Sequence, residues 1–341
     1  MDTDPTPQEI AKNAFQSTVA LEMELVDGGR CTLGSGFFVR KDAIATNLHV
    51  VHGVLSECYA KLVNQTNEYL IEGYTHIDVE RDLVILKVSG TNTTEFLWGN
   101  SDNVEVGDTV YAVGNPSGLD GTFSDGIISG IRADGTDKLL QISAPISPGS
   151  SGGAVLNSEG NVIGVSAASH YGQNLNFAIP SNYIKKLVSN PEDLKPLYLT
   201  KFEGIRHVEN SLLWEGKATY TFSLQNKHRF SVKNIHCLVT FYDELNRQIG
   251  LDLVKVSGPI PAKAIEKVTR PSIFDVAYPK GLDLSASKVD EQIAFFMSII
   301  IRDGKNPSDY NIVDPTAKRP EGTYRVRIID YETLSDYRIN E

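Results

Sequence analysis

The chain has 341 residues, more than one hydrophobic core usually serves, so two domains of roughly 100–200 residues are expected. Hydrophobic content of 41% with 22% charged residues is that of an ordinary globular protein, and the longest apolar run, Ile293–Ile301, is too short to cross a bilayer as a helix. The net charge of −11 is uneven: residues 1–200 hold 24 acidic and 12 basic side chains, residues 201–341 hold 19 and 20. That step marks a boundary near residue 200, and the acidic first part excludes nucleic-acid binding, which needs clustered Lys and Arg.

In chain order, residues 1–13 read as a polar N-terminal arm. From Ser17 to Phe177 short β-type runs follow one another: Thr18–Leu21, Gly36–Val39, Ala43–Thr46, Tyr59–Val63, Leu83–Val88, Thr109–Val113 and Val162–Ser166. Gly, Asn and Asp punctuate them, a pattern of all-β barrels and sandwiches. Ser181–Val188 has helical spacing behind a Ser cap, and Pro191 stops it. The expected organisation is an arm at 1–13, a first domain at 14–190, a linker at 191–200 and a second domain at 201–341.

The second domain also reads as β. Ala218, Tyr220, Phe222 and Leu224 alternate with Thr219, Thr221 and Ser223, and Ile235, Cys237, Val239 and Phe241 repeat the period. Asp243–Arg247 reads as a turn, and Ile249–Val256, Gln292–Ile301 and Tyr324–Ile329 as further strands. The expected fold there is an Ig-like or related β-sandwich.

The three cysteines form no CxxC pair. Cys31 and Cys58 flank the His49 segment on predicted neighbouring strands, which leaves a disulfide open beside the reading of three separate thiols. His76 and His170 have no ligand partner in sequence, so no metal site and no cofactor are expected.

The chemistry lies in Pro148-Gly149-Ser150-Ser151-Gly152-Gly153. A Ser in a Gly-rich turn suits a nucleophile, because glycines allow the tight bend that aims amide N–H groups at an oxyanion. Alone the motif is an ordinary turn. Upstream, however, stand Thr46-Asn47-Leu48-His49-Val50-Val51 and Asp78-Val79-Glu80-Arg81-Asp82-Leu83-Val84-Ile85-Leu86-Lys87. The order His, Asp, Ser, with separations of 33 and 69 residues, is that of the chymotrypsin-like double β-barrel. Ser151 is the candidate nucleophile, His49 the base and Asp82 its orienting acid. Asp82 directly precedes an apolar strand, whereas Asp78 suits a turn contact. Gly149, Ser150 and Ser151 are the candidate oxyanion-hole amides.

These segments, with Gly34-Ser35-Gly36-Phe37-Phe38-Val39, Val113-Gly114-Asn115-Pro116-Ser117-Gly118 and Asn176-Phe177-Ala178-Ile179-Pro180-Ser181, resemble the HtrA/DegP serine proteases from about residue 14 to 190. The family commonly has Asn before the nucleophile and Pro after the second Gly, where this chain has Ser150 and Ala154. Residues 201–341 show no PDZ pattern, so peptide sensing of that kind is not carried over.

The resemblance implies a serine endopeptidase acting on unfolded or flexible protein or peptide substrates, and assembly as a homotrimer, with Phe15 a candidate trimer contact or a staple within one chain. It also implies a switchable loop over residues 113–130 and a periplasmic or other extracytoplasmic location, although the polar opening Met1–Glu9 carries no export signal and leaves a cytoplasmic location open. By the same resemblance, Val165, Ser166 and Ala167 wall the substrate pocket and Pro145 and Ile146 lie at its base. None is an Asp or a His, which points to a small or medium aliphatic P1 residue rather than Lys, Arg or Glu. The alternative is a latent protease fold serving as a binding or chaperone module, recognising partners through the C-terminal sandwich.

Overall fold

A computed structural model of the protein describes residues 5–25, 29–52, 54, 56–89, 93–115, 121–134, 137–167, 176–189, 193–197, 200, 203–215, 219–242, 244–245, 248–256, 258–271, 312–313 and 324–333. The chain divides into two compact units, Met1–Thr200 and Lys201–Leu334.

The first unit is a double β-barrel. The first closed barrel holds β1 (Thr18–Glu24), β2 (Arg30–Arg40), β3 (Ala43–Asn47), β4 (Cys58–Leu62), β5 (Glu68–Asp78) and β6 (Leu83–Val88), in the order β1-β2-β3-β6-β5-β4. The second holds β7 (Thr109–Gly114), β8 (Thr122–Asp134), β9 (Asp137–Ile142), β10 (Ala154–Asn157), β11 (Val162–Ala167) and β12 (Asn176–Pro180), in the order β10-β11-β12-β9-β8-β7.

Two apolar layers explain the continuous runs in the sequence. On β6, Val84 and Leu86 face the interior of the first barrel, while Leu83 and Ile85 join Phe37, Val113 and Val165 in a cluster drawn from both barrels. A strand buried on both faces loses the polar half of its alternation, which is why Leu83–Leu86 is apolar throughout. At each fully buried aliphatic side chain about 1.5–3 kcal/mol favours this arrangement over exposure.

The N-terminal segment is not a polar arm. Pro7–Phe15 forms helix α1 with a capping box: the Glu9 N–H donates to Thr6 Oγ1, and the Thr6 N–H donates to Glu9. Ile10 and Ala14 enter the cluster between the barrels, and Phe15 packs against it within the chain. A nine-residue helix is marginal by itself, so the docking of Ile10 and Ala14 holds it. Removing the cap in Thr6→Ala should cost about 1 kcal/mol, less than the burial of Ile10 contributes. The melting temperature is therefore expected to drop by about 2–4 °C with α1 still docked. A larger drop in a thermal melt, with protease cutting near residue 16, would show that the cap holds the helix instead.

Three other expectations change. Ser181 is the first residue of helix α3 (Ser181–Val188) rather than a side-chain cap, and its N-cap is Pro180. Residues 113–130 are not one loop, because β7 runs to Gly114 and β8 starts at Thr122; residues 116–120 lie outside the described residues. Cys31 and Cys58 do not share a strand boundary: both lie opposite Met23, on β2 and β4, with β1 between them. Two strand spacings, about 9–10 Å, exceed the reach of a disulfide, and all three cysteines are free thiols. Burial pushes the Cys58 thiol up to about 12.

The second unit contains two antiparallel sheets. One centres on β15 (Thr219–Asn226), which pairs with β13 (Ile205–His207), β14 (Leu213–Glu215) and β18 (Ile265–Pro271). The other runs in the order β19 (Ile312–Val313), β17 (Gln248–Val256), β16 (Val232–Tyr242), β20 (Tyr324–Thr333). Tyr220, Phe222 and Leu224 of the first sheet share a core with Ile235, Cys237, Val239 and Phe241 of the second, and the rings of Tyr220 and Phe241 meet edge to face at 5.3 Å. Asp252, 0% exposed, is held by the Tyr220 hydroxyl and by Arg270 at 3.2 and 3.3 Å. The expected strand Gln292–Ile301 and residues 243, 246 and 247 of the expected turn lie outside the described residues.

Candidate active site

His49 and Asp82 are brought together by the corner where β3 ends. Asn47 leads into the short helix α2 (Leu48–Val51), which carries His49, while Asp82 occupies the turn between β5 and β6. Asp82 has a left-handed backbone, φ +59°, a conformation that a short acidic side chain tolerates better than most. That backbone lets one residue grip the corner four ways. The Asp82 carbonyl accepts from the Leu48 N–H at 3.1 Å and from Asn47 Nδ2 at 3.1 Å. Its carboxylate accepts from the His49 N–H at 2.9 Å and faces His49 Nδ1 at 2.6 Å. Asp82 is 3% exposed, so this grip is shielded from water.

Asp78 does different work. Its carboxylate takes the Arg81 N–H at 3.0 Å and the Arg81 guanidinium at 2.6 Å, closing the turn that presents Asp82. Arg81 also donates to Asp137 at 2.7 Å and lies 4.6 Å over the Tyr183 ring, tying that turn to the β8–β9 hairpin and to α3. Burial opposes the Arg81 charge, but its hydrogen bonds to Asp137 and Asp78 outweigh that and hold the guanidinium above its usual range.

Ser151 lies in the turn between β9 and β10, and this turn is fastened to the first barrel. The Ser151 carbonyl accepts from the Ser35 N–H at 2.8 Å, and the Gly149 carbonyl from the Ser35 hydroxyl at 2.6 Å. The Ser151 hydroxyl is buried and has no hydrogen-bond partner among the described residues. The Gly149 and Ser151 N–H groups donate to no described residue, which leaves both for a ligand. The Ser150 N–H is different: it donates to the Ser147 carbonyl at 2.9 Å. In this arrangement Ser150 closes the turn instead of offering an oxyanion donor.

Gly152 shows how tightly the turn is pressed against the first barrel. Its φ is +84°, and a Cβ there would collide with the Ser35 carbonyl oxygen and with Thr46 Oγ1. Thr46 cannot yield, because its hydroxyl already donates to that carbonyl at 2.7 Å. On the serine-protease chemistry that the sequence resemblance implies, Gly152→Ala is therefore expected to push the turn away and lower kcat/KM for peptide cleavage about 100-fold. Activity within a few-fold of the parent would show that the turn has room to relax.

The expected pocket residues are placed unevenly. Val165 is fully buried in the cluster between the barrels, so its side chain lines no cleft, and only its backbone is left to form a wall. Ser166 is 1% exposed and its hydroxyl donates to the Ser150 carbonyl at 2.5 Å, which makes it a support of the turn that carries Ser151. Ala167 is half-buried at the end of β11, and residues 168–175 beyond it lie outside the described residues. Pro145 is exposed, its carbonyl taking the Ser124 hydroxyl at 2.8 Å, and Ile146 packs against the core of the second barrel.

Sequence reasoning assigned no role to Ser35, Thr46, Asn47 or Arg81. Each stands in or beside a recognised motif, but its partner lies in a different strand or turn, 11 residues away for Thr46 and Ser35, 35 for Asn47 and Asp82, 56 for Arg81 and Asp137 and 114 for Ser35 and Gly149. Among the described residues no group of three or more His, Cys, Asp or Glu is arranged to hold a metal ion, and no helix is long and apolar enough to cross a membrane.

Residues 34–165 match the model of the trypsin-like peptidase domain. A serine protease HtrA-like from Staphylococcus aureus strain MRSA252 is 33% identical over 218 residues, covering 55% of this chain and 28% of the relative. Its counterpart in strain USA300 is 32% identical over the same length. The chain thus spans just over a quarter of the length of these curated relatives. Among solved structures, the HtrA-type protease AlgW with tripeptide is 23% identical, covers 74% of this chain and 77% of its own, and gives a TM-score of 0.49. Deg5 is 30% identical, covers 52% and 89%, and gives a TM-score of 0.45. Over residues 34–165 the chain is thus similar to a trypsin-like peptidase domain, and over 55% of its length to HtrA-like serine proteases.

Proposed function

We propose that the chain is a serine endopeptidase using Ser151, His49 and Asp82. The observation that carries this reading is the two-point hold of the Asp82 carboxylate on His49, through the backbone N–H at 2.9 Å and Nδ1 at 2.6 Å. That hold puts the imidazole proton on Nδ1 and leaves Nε2 free to accept one. Ser151 Oγ attacks the scissile carbonyl carbon and gives its proton to His49 Nε2. The carbonyl π electrons move onto oxygen, and the Gly149 and Ser151 N–H groups stabilise that charge. Collapse of the tetrahedral intermediate breaks the C–N bond, His49 returns the proton to the leaving amine, and water repeats the sequence on the acyl-enzyme.

Protein or peptide substrates with a small or medium aliphatic P1 residue fit the chemistry around the site. Ser166 and Ala167 are small, and neither Pro145 nor Ile146 supplies a carboxylate for Lys or Arg. Labelling the intact protein with a fluorophosphonate, followed by peptide mapping, tests the nucleophile: one adduct on Ser151 is expected. Cleavage-site profiling on an unfolded protein tests specificity, and predominant cutting after Lys, Arg or Glu would overturn the aliphatic assignment.

A second reading has its own observation. The Ser151 hydroxyl is buried and makes no hydrogen bond to His49 in this structure, as a latent site requires. Nucleophile–base contacts in ligand-free sites are often long and tighten when substrate binds, so this geometry fits both readings. A folded protein that takes no fluorophosphonate label, yet suppresses aggregation of an unfolded protein, would favour the latent module.

A further inference from the structure

Ser35 lies on β2 between two glycines and is 0% exposed, yet each of its polar groups is engaged with the catalytic region. Its N–H donates to the Ser151 carbonyl at 2.8 Å, and its carbonyl accepts from Thr46 Oγ1 at 2.7 Å, three residues before His49. Its hydroxyl accepts from the Asn115 N–H at 2.8 Å and donates to the Gly149 carbonyl at 2.6 Å. The direction of that relay needs no assignment of hydrogen positions. An amide N–H only donates and a carbonyl only accepts, so the single hydroxyl proton must point at Gly149.

We infer that Ser35 is a positioning residue of the oxyanion hole, coupling Asn115 to the peptide plane between Gly149 and Ser150. The inference rests on the serine-protease reading above. In a trans peptide the C=O and the following N–H point in opposite directions, so holding one end aims the other. The Gly149–Ser150 plane is held at both ends, by Ser35 on its carbonyl and by Ser147 on its N–H. The next plane is held by its carbonyl alone: Ser150 O takes the Ser166 hydroxyl at 2.5 Å and the Gly153 N–H at 3.0 Å. Its other end, the Ser151 N–H, is therefore aimed away from Ser166 and donates to no described residue. The Gly149 N–H flanks the Ser35-held plane on its other side.

Gly149 has φ +93° and no Cβ, so what resists rotation of the Gly149–Ser150 plane is that hydroxyl at one end and the Ser147 carbonyl at the other. Deleting the hydroxyl leaves a carbonyl without its donor, and rotation toward another donor relieves that. Such a rotation carries both neighbouring N–H groups off their aim.

The test uses the full chain, its Ser35→Ala and Ser35→Cys variants, and two probes: a tripeptide ending in valinal and the same tripeptide ending in valinol. Ser151 Oγ adds to the aldehyde carbon and gives its proton to His49 Nε2, while the C=O π electrons move onto the aldehyde oxygen, which comes to lie among the Gly149 and Ser151 amides. The alcohol forms no such adduct. The wild type should prefer the aldehyde, and Ser35→Ala should lose about 10- to 100-fold of that preference while valinol binding holds within about threefold. Peptide kcat should fall in parallel. Ser35→Cys keeps a weaker S–H donor and should fall between the two.

A merely structural role would weaken both probes together and leave their ratio unchanged, which would overturn the inference. So would any order other than Ser above Cys above Ala. If Ser35→Ala does not fold, a Ser35→Cys ratio equal to that of the wild type overturns it. A wild type that neither prefers the aldehyde nor takes a fluorophosphonate label fails the protease reading, and the inference with it.

Discussion

Ser151→Ala is expected to lower kcat for peptide cleavage about 10⁶-fold, with the melting temperature unchanged within a degree or two. The large effect follows from chemistry: without Oγ no acyl-enzyme forms, and what remains is attack by water beside an intact oxyanion hole. The small structural effect follows from the same geometry. The Ser151 hydroxyl holds no other described residue in place, whereas its carbonyl, which the substitution keeps, takes the Ser35 N–H at 2.8 Å. His49→Ala should cost about as much, and the double variant little more than either alone, because nucleophile and base act as a unit. Steady-state kinetics on the three variants checks this. Costs that multiplied in the double variant would mean that Ser151 and His49 do not share one step, and the assignment of His49 as base would fall.

The sequence carries the barrels legibly where burial on two faces makes strands continuously apolar, as in Leu83–Leu86, and where Gly and Asn mark the turns. It hides them where strands bend. β5 slips register between Ile71 and Gly73 and again between Tyr74 and His76, and β8 slips between Ile128 and Gly130. Each bulge shifts the period of two by one residue, so Glu68–Asp78 and Thr122–Asp134 show no clean alternation to read. Helix α1 was hidden for another reason. Only Ile10 and Ala14 of its nine residues are buried, so the apolar stripe is too narrow to outweigh its polar composition. The capping-box spacing of Thr6 and Glu9 was the available signal.

At the site, the residues proposed to carry the chemistry were legible because they stand within local motifs. The supports were not, because a Ser buried by a partner 114 residues away looks in sequence like any small strand residue. Val165 differs in the opposite sense, in its side chain alone. Its motif suggested a pocket wall, but in a two-barrel fold the same strand also faces the neighbouring barrel, and that face took the side chain.

Asp82→Asn is expected to lower kcat about 10⁴-fold with the fold intact. The amide is nearly isosteric, so the reason lies in donors and acceptors. The His49 backbone N–H only donates, and it claims one oxygen of Asp82 at 2.9 Å. In the variant that contact selects the amide oxygen, which turns the amide NH₂ toward Nδ1, the partner at 2.6 Å in the parent. Facing a donor, Nδ1 must accept, so the imidazole proton moves to Nε2. Nε2 then has no lone pair for the Ser151 proton. Two measurements check the argument: kcat, and the ¹⁵N chemical shifts of the His49 ring, which should exchange their protonated and unprotonated positions between parent and variant. Asp78→Asn serves as the control, since its carboxylate meets Arg81 and not His49. It should loosen the turn and cost less than about 10-fold, in the range of an indirect positioning effect. An Asp78→Asn loss matching that of Asp82→Asn would mean that Asp82 is not the sole orienting acid. An unchanged His49 tautomer in Asp82→Asn would rule out the proton shift from Nδ1 to Nε2 as the cause of its loss.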